Sequence, residues 1–333
     1  MIDLRSDTLT KPTPEMRSAM MAAELGDDVY GEDPTVNELE RYAAELTGHE
    51  AALFVSTGTQ GNLLALLSQC ERGHEYIAGQ EAHSYKFEGG GAAVLGGIQP
   101  QPLPFNSRGE LEQDQVNKVI KPDDFHFART QLVCLENTQG GKVLSQDYLS
   151  RFTAFVRSKN LRFHLDGARV FNAAVQQNVP VKAITGLFDS VSICLSKGLG
   201  CPAGSLLVAD AETIKKARRY RKMLGGGMRQ VGIIAASGLF ALNNHVDRLA
   251  IDHENASTLG SALSQLQHIS LAEPVQTNMV MLDLSGVDIR QLQGFLLDRD
   301  IRISGPRLVT HLDISAEDIA RVSTAFRQFD EAI

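Results

Sequence analysis

The chain has 333 residues, 43% hydrophobic and 22% charged, which is enough to bury a large core and too apolar for a disordered polymer. Its formal net charge of -8 argues against the concentrated basic face that nucleic-acid phosphates require. No run approaches the ~18 apolar residues of a membrane span, Asp3 and Asp7 stand where a signal peptide would be apolar, and Cys70, Cys134, Cys194 and Cys201 form no Cys-x-x-Cys pair. The expectation is a soluble cytoplasmic protein with buried, reduced thiols.

In chain order, Val36, Leu39, Ala43 and Leu46 fall on one face after Asp33-Pro34-Thr35, predicting a helix over 36–46. A strand is predicted over 51–55, a helix over 61–70, a short strand over 76–78, a strand over 131–136 and a helix over 146–156. Then come a strand at 161–165, a helix at 168–175, a strand at 190–195 and a β-like run at 205–208. Strands alternating with helices imply βαβ units, hence an α/β fold with a mainly parallel sheet covered on both faces. From 211 to 266 the pattern is mostly helical, broken at Gly225-Gly226-Gly227. Strands at 278–284, 301–304 and 308–312 follow, with helices at 289–298 and 316–329. The division expected is a large domain over 1–245 and a small α/β domain over 246–333.

Ligands of such sheets sit beyond the carboxyl ends of the strands, so polar residues there carry the most information. Ser56-Thr57-Gly58-Thr59-Gln60-Gly61-Asn62 leads from a strand into a helix, either as a plain capping turn or as an anion site of backbone amides. Asp166 in Asp166-Gly167-Ala168-Arg169 ends a strand, either as a helix cap or as the partner of a cationic ligand nitrogen, with His164 two residues back and free to face the same side. Lys197 ends the run Ser192-Ile193-Cys194-Leu195-Ser196, either as a snorkelling side chain or as an amine able to form a Schiff base. His83, in Glu81-Ala82-His83-Ser84-Tyr85, is either an exposed loop histidine or one wall of a site. Gly198-Leu199-Gly200-Cys201-Pro202-Ala203 matches the dinucleotide fingerprint in form, but a strand-like run follows where that motif must open a helix. No paired His or Cys spacing suggests a metal site.

An anion turn, a strand-tip aspartate and a strand-end lysine are three requirements of one cofactor, pyridoxal 5'-phosphate. Their order resembles the aspartate-aminotransferase fold type, fold type I of pyridoxal-phosphate enzymes. Leu4-Arg5-Ser6-Asp7-Thr8, Gly26-Asp27-Asp28-Val29-Tyr30-Gly31-Glu32-Asp33-Pro34-Thr35, His164-Leu165-Asp166-Gly167-Ala168-Arg169 and Ser196-Lys197-Gly198-Leu199-Gly200 together resemble the L-threonine aldolase family over essentially the whole chain, most closely its low-specificity bacterial form.

The resemblance implies that Lys197 carries the cofactor, Asp166 pairs with its pyridine nitrogen and Gly58 and Thr59 bind its phosphate. It further implies that His83 stacks on the ring, that Ser6, Arg169 and Arg307 hold the substrate carboxylate, and that Lys222 or Arg229 reaches a neighbouring subunit's phosphate in a tetramer. The activity implied is retro-aldol cleavage of L-threonine and L-allo-threonine to glycine and acetaldehyde. For the base, His83, then His126, then a phosphate-held water are the candidates.

Overall fold

Seven strands pair into one central sheet in the computed structural model, which describes the whole chain, residues 1–333. The first strand, β1 (Ile2–Asp3), stands outside it. The sheet contains β2 (Ala51–Val55), β3 (His74–Gly79), β4 (Gln99–Leu103), β5 (Arg129–Glu136), β6 (Arg162–Asp166), β7 (Ser190–Cys194) and β8 (Ser205–Ala209), in the order β2-β8-β7-β6-β5-β3-β4. β8 alone runs against the direction of the other six strands. Every residue of β7 and β8 is buried, as strands covered on both faces must be.

The sequence pattern does not predict β4, whose run Gln99-Pro100-Gln101-Pro102-Leu103 carries two prolines. Its place at the sheet edge explains the tolerance, because an edge strand leaves one row of N–H positions unpaired. Helices Pro34–Thr47, Gln146–Ser158 and Gly232–Asn244 cover one face through Val36, Leu39, Leu149, Phe152 and Ala235. Helices Gly58–Gln69 and Ala211–Met223 cover the other through Leu64, Ala65, Ile214 and Ala217.

The C-terminal unit holds β9 (Ser270–Leu271), β10 (Met279–Asp283), β11 (Ile301–Arg302) and β12 (Arg307–Val309), with β9, β10 and β12 in one antiparallel sheet. Strand β1 pairs with β11, and Ile2 and Leu4 are buried in the same cluster as Leu296, Ile301 and Leu308. The N-terminal strand therefore packs with the small unit although its sequence precedes the large one; two residues carry too little periodicity to signal this. Helix Leu249–Leu263 joins the units, with Leu249 in the large core and Ala256, Leu259 and Leu263 in the small one.

Candidate active site

The alternation of side chains along β6 sets the base of the site. Phe163 and Leu165 enter the large core, so His164 and Asp166 face the other way, toward helix Gly58–Gln69. Gly167 then turns beneath them: its N–H donates to the Ser192 carbonyl at 2.8 Å, and a Cβ there would stand 2.7 Å from that oxygen, so only glycine fits. Asp166 is buried and accepts from the Asn62 amide at 2.8 Å and from the Ala168 N–H at 3.1 Å. Burial holds His164 neutral, with its pKa down to about 4.

His83 opens a short helix, His83–Lys86, beyond β3. Its backbone N–H donates to Glu136 at 2.8 Å, its Nδ1 meets Glu88 Oε1 at 2.8 Å, and its Nε2 has no protein partner. The hydrogen bond to Glu88 raises the His83 pKa, burial opposes this, and the Asp166 charge adds to the rise. Burial and then the Asp166 charge push Glu136, at the tip of β5, up to about 7. Ligand atoms of His83, Glu88 and Asp166 lie within 4.8 Å of one another, a grouping that sequence spacing does not show because Asp166 joins the other two only in the fold. Two of these groups, Glu88 and Asp166, are bridged by Asn62, which donates to both.

A His83 that accepts a proton must be neutral, so its raised pKa sets the acid limb of the rate profile. Glu88→Gln removes the anion that raises it. The acid limb of kcat/KM should then move to lower pH. An unmoved limb would exclude His83 as the titrating group.

Lys197 lies just beyond the end of β7, and its charge lowers the pKa values of Asp7, His83 and Glu136. Arg169 closes the site on the side of the small unit: its Nε and Nη2 form a two-pronged contact to Asp7 at 2.8 and 2.6 Å. Burial would raise the Asp7 pKa, but Arg169, Lys197 and the Asn278 amide outweigh it and hold it at about 2. The fork of Arg169 is thus largely committed inside the protein. Arg307 is freer, with one long contact to the Arg5 carbonyl at 3.5 Å, and burial and the nearby Arg169 charge lower its pKa. Ser6 caps the turn Asp7–Leu9 by accepting from the Thr8 N–H at 3.2 Å.

Helix Gly58–Gln69 starts three residues before the sequence pattern suggests, because Thr57 is its cap and accepts from the Gln60 N–H at 3.1 Å. Gly58 and Thr59 therefore lie in its first turn, where backbone N–H groups have no helical partner. Gly226 abuts Gln60 in that turn, so Lys222 and Arg229 flank the same end; Lys222 is exposed, while Arg229 pairs with Asp27 at 3.0 Å. His126 is not brought to the site within one chain. It is exposed, bonded to Asp124 at 2.7 Å, and precedes the amino end of β5, while Glu136 ends that strand roughly 23 Å away.

Sequence comparison adds an independent line. The beta-eliminating lyase family matches residues 3–286. The chain belongs to that family. It is 54% identical to the low specificity L-threonine aldolase of Escherichia coli (strain K12), over 99% of both chains. It is 36% identical to the low specificity L-threonine aldolase of Saccharomyces cerevisiae, over 99% of this chain and 87% of that one. Among solved structures, the Leishmania major threonine aldolase superposes with a TM-score of 0.84 at 21% identity, over 99% and 100% of the two chains. The Sphingomonas wittichii serine palmitoyltransferase gives 0.79 at 17% identity, over 99% and 87%. The fold is accordingly that of fold type I enzymes.

Four polar residues of the site go unassigned in the sequence reading: Asp7, Asn62, Glu88 and Glu136. Glu136 has a visible signal, since it ends an apolar strand as Asp166 does. Asp7 and Asn62 stand inside quoted motifs, but their partners are 162 and 104 residues away. Glu88 is only five residues from its partner His83, but its other partner, Asn62, is 26 residues away and reaches it only in the fold.

Proposed function

We propose that this site cleaves L-threonine and L-allo-threonine to glycine and acetaldehyde by a pyridoxal-phosphate-dependent retro-aldol reaction. The observation that carries the reading is 54% identity across 99% of both chains to a low specificity L-threonine aldolase, combined with a donor set suited to the cofactor. That set fits: Lys197 offers an amine for the aldehyde, buried Asp166 an anion for the pyridinium, and the first turn of Gly58–Gln69 free N–H groups for the phosphate. Ser205 Oγ, buried without a partner and 3.7 Å from where a Cβ of Gly58 would stand, is a further donor at this edge.

When bound, pyridoxal phosphate supplies an electron sink for the carbanion left as the bond between Cα and Cβ breaks. The chain does the rest. Lys197 would hold the cofactor's aldehyde carbon and yield that place to the substrate amine, and Asp166 would face the ring nitrogen. Arg307, with the Nη1 that Arg169 leaves free and with Ser6, holds the substrate carboxylate and so orients the bond to be broken. His83 would face the ring and, through its free Nε2, would take the proton of the β-hydroxyl. The exposure of His126, Lys222 and Arg229 supports a role for them at a neighbouring subunit's site, in a cytoplasmic homotetramer. Exposed Tyr30, Phe87, Met223 and Phe125 offer apolar surface for such an assembly. No helix is long and apolar enough to cross a membrane. The division at residues 245 and 246 remains part of the proposal, with β1 assigned to the second unit.

Incubation of the cofactor-loaded protein with L-threonine and no keto acid should give acetaldehyde and glycine in equal amounts. The family match favours β-elimination as a second reading, and it would appear instead as ammonia and 2-oxobutanoate. Cofactor bound with neither product pair would overturn both readings.

A further inference from the structure

Asn62 is the one residue that touches both acidic arms of the site. Helix Gly58–Gln69 carries it against β7 because Gly61 lies so close that a Cβ would stand 3.3 Å from Ser192 Cβ. The Asn62 Nδ2 donates to Asp166 Oδ2 at 2.8 Å and to Glu88 Oε1 at 2.8 Å. Two carboxylates can only accept when ionised, which fixes the amide orientation without appeal to hydrogens. Its Oδ1 must then accept, and it does so from Ser192 Oγ and from His164 Nε2 at 3.1 Å.

Behind Asn62 the direction of every bond follows. Since Asn62 Oδ1 accepts, neutral His164 carries its proton on Nε2 and accepts at Nδ1 from Ser190 Oγ, at 2.8 Å. Ser190 Oγ in turn accepts from Gln69 Nε2 at 2.7 Å. The chain Gln69, Ser190, His164, Asn62 therefore donates throughout toward the two carboxylates. Asn62, His164, Ser190 and Ser192 are buried, so no bulk water competes for these bonds.

We infer that Asn62 is a positioning residue for the reaction: one amide, oriented by the His164 relay, holds Asp166 toward the cofactor nitrogen and Glu88 against His83. The inference rests on the function proposed above and assigns that site a part it does not otherwise have. It couples the group that retains the cofactor to the group that takes the substrate proton, through a buried side chain.

The test compares Asn62→Ala with Asn62→Asp by titrating the apo-proteins with pyridoxal phosphate and following the cofactor's visible absorbance, with apo-protein melting as the folding control. A lost hydrogen bond to a charged group should weaken cofactor binding about ten- to a hundredfold in Asn62→Ala. Asn62→Asp, which keeps the volume but turns the donor into a third anion, should bind still more weakly. A space-filling role predicts the reverse order, and that order, or affinities within twofold of the wild type, would overturn the inference. A wild-type protein that fails to bind pyridoxal phosphate would instead overturn the functional reading. Should neither variant fold, 15N NMR of the wild-type histidines decides: the His164 proton should sit on Nε2, and a proton on Nδ1 of a neutral ring would reverse the relay and sink the inference.

Discussion

Lys197→Ala is expected to abolish turnover, lowering kcat by about a thousandfold or more, because no other amine stands where Lys197 does to be exchanged with the substrate. The lysine follows β7, and its loss also removes a cation that offsets the acids Asp7 and Glu136. Folding should survive, since the side chain makes no protein hydrogen bond and its stem is only partly buried. Steady-state rates with L-threonine, beside the melting temperature of the same sample, separate the two effects. Retention of more than a tenth of the wild-type rate would contradict the role of Lys197.

The second large effect falls on stability. Asp7 is fully buried, and its carboxylate carries the fork of Arg169 and the Asn278 amide at 3.2 Å. Removing one partner of such a pair leaves the other charge buried without compensation. Asp7→Ala should therefore cost about 3–5 kcal/mol, read as a lower denaturant midpoint. Because Asp7 belongs to the N-terminal segment and Arg169 follows β6, the pair also fastens the small unit's first strand to the site. The KM for threonine should rise with the loss of stability, as Arg169 loses the partner that orients it. A variant as stable as the wild type would show the pair to be dispensable.

The parts of the site that are legible in sequence are those announced by local contrast. Asp166 and Lys197 each interrupt an apolar strand, and a polar residue at a strand tip of a parallel sheet points to the ligand crevice. His164 is readable by parity alone, two residues before Asp166. What escapes is whatever depends on chain closure. Whether the Arg169 fork is free or engaged depends on Asp7, far away in sequence. Asn62 reads as a helix-turn residue, and only the approach of the helix to β7 turns it into the bridge between two carboxylates. The proline-bearing β4 escapes for a different reason, since its place at the sheet edge overrides a composition hostile to strands. His126 looks equivalent to His83 as a loop histidine, yet the two stand at opposite ends of the strands because one follows β3 and the other precedes β5.

The account centres on pyridoxal phosphate joined to Lys197, and borohydride trapping tests that most directly. Reduction of the loaded protein should abolish its visible absorbance and leave a stable phosphopyridoxyl mass on the peptide containing Lys197, and on no other lysine. Label on a different lysine, or a protein that takes up no cofactor, would contradict it.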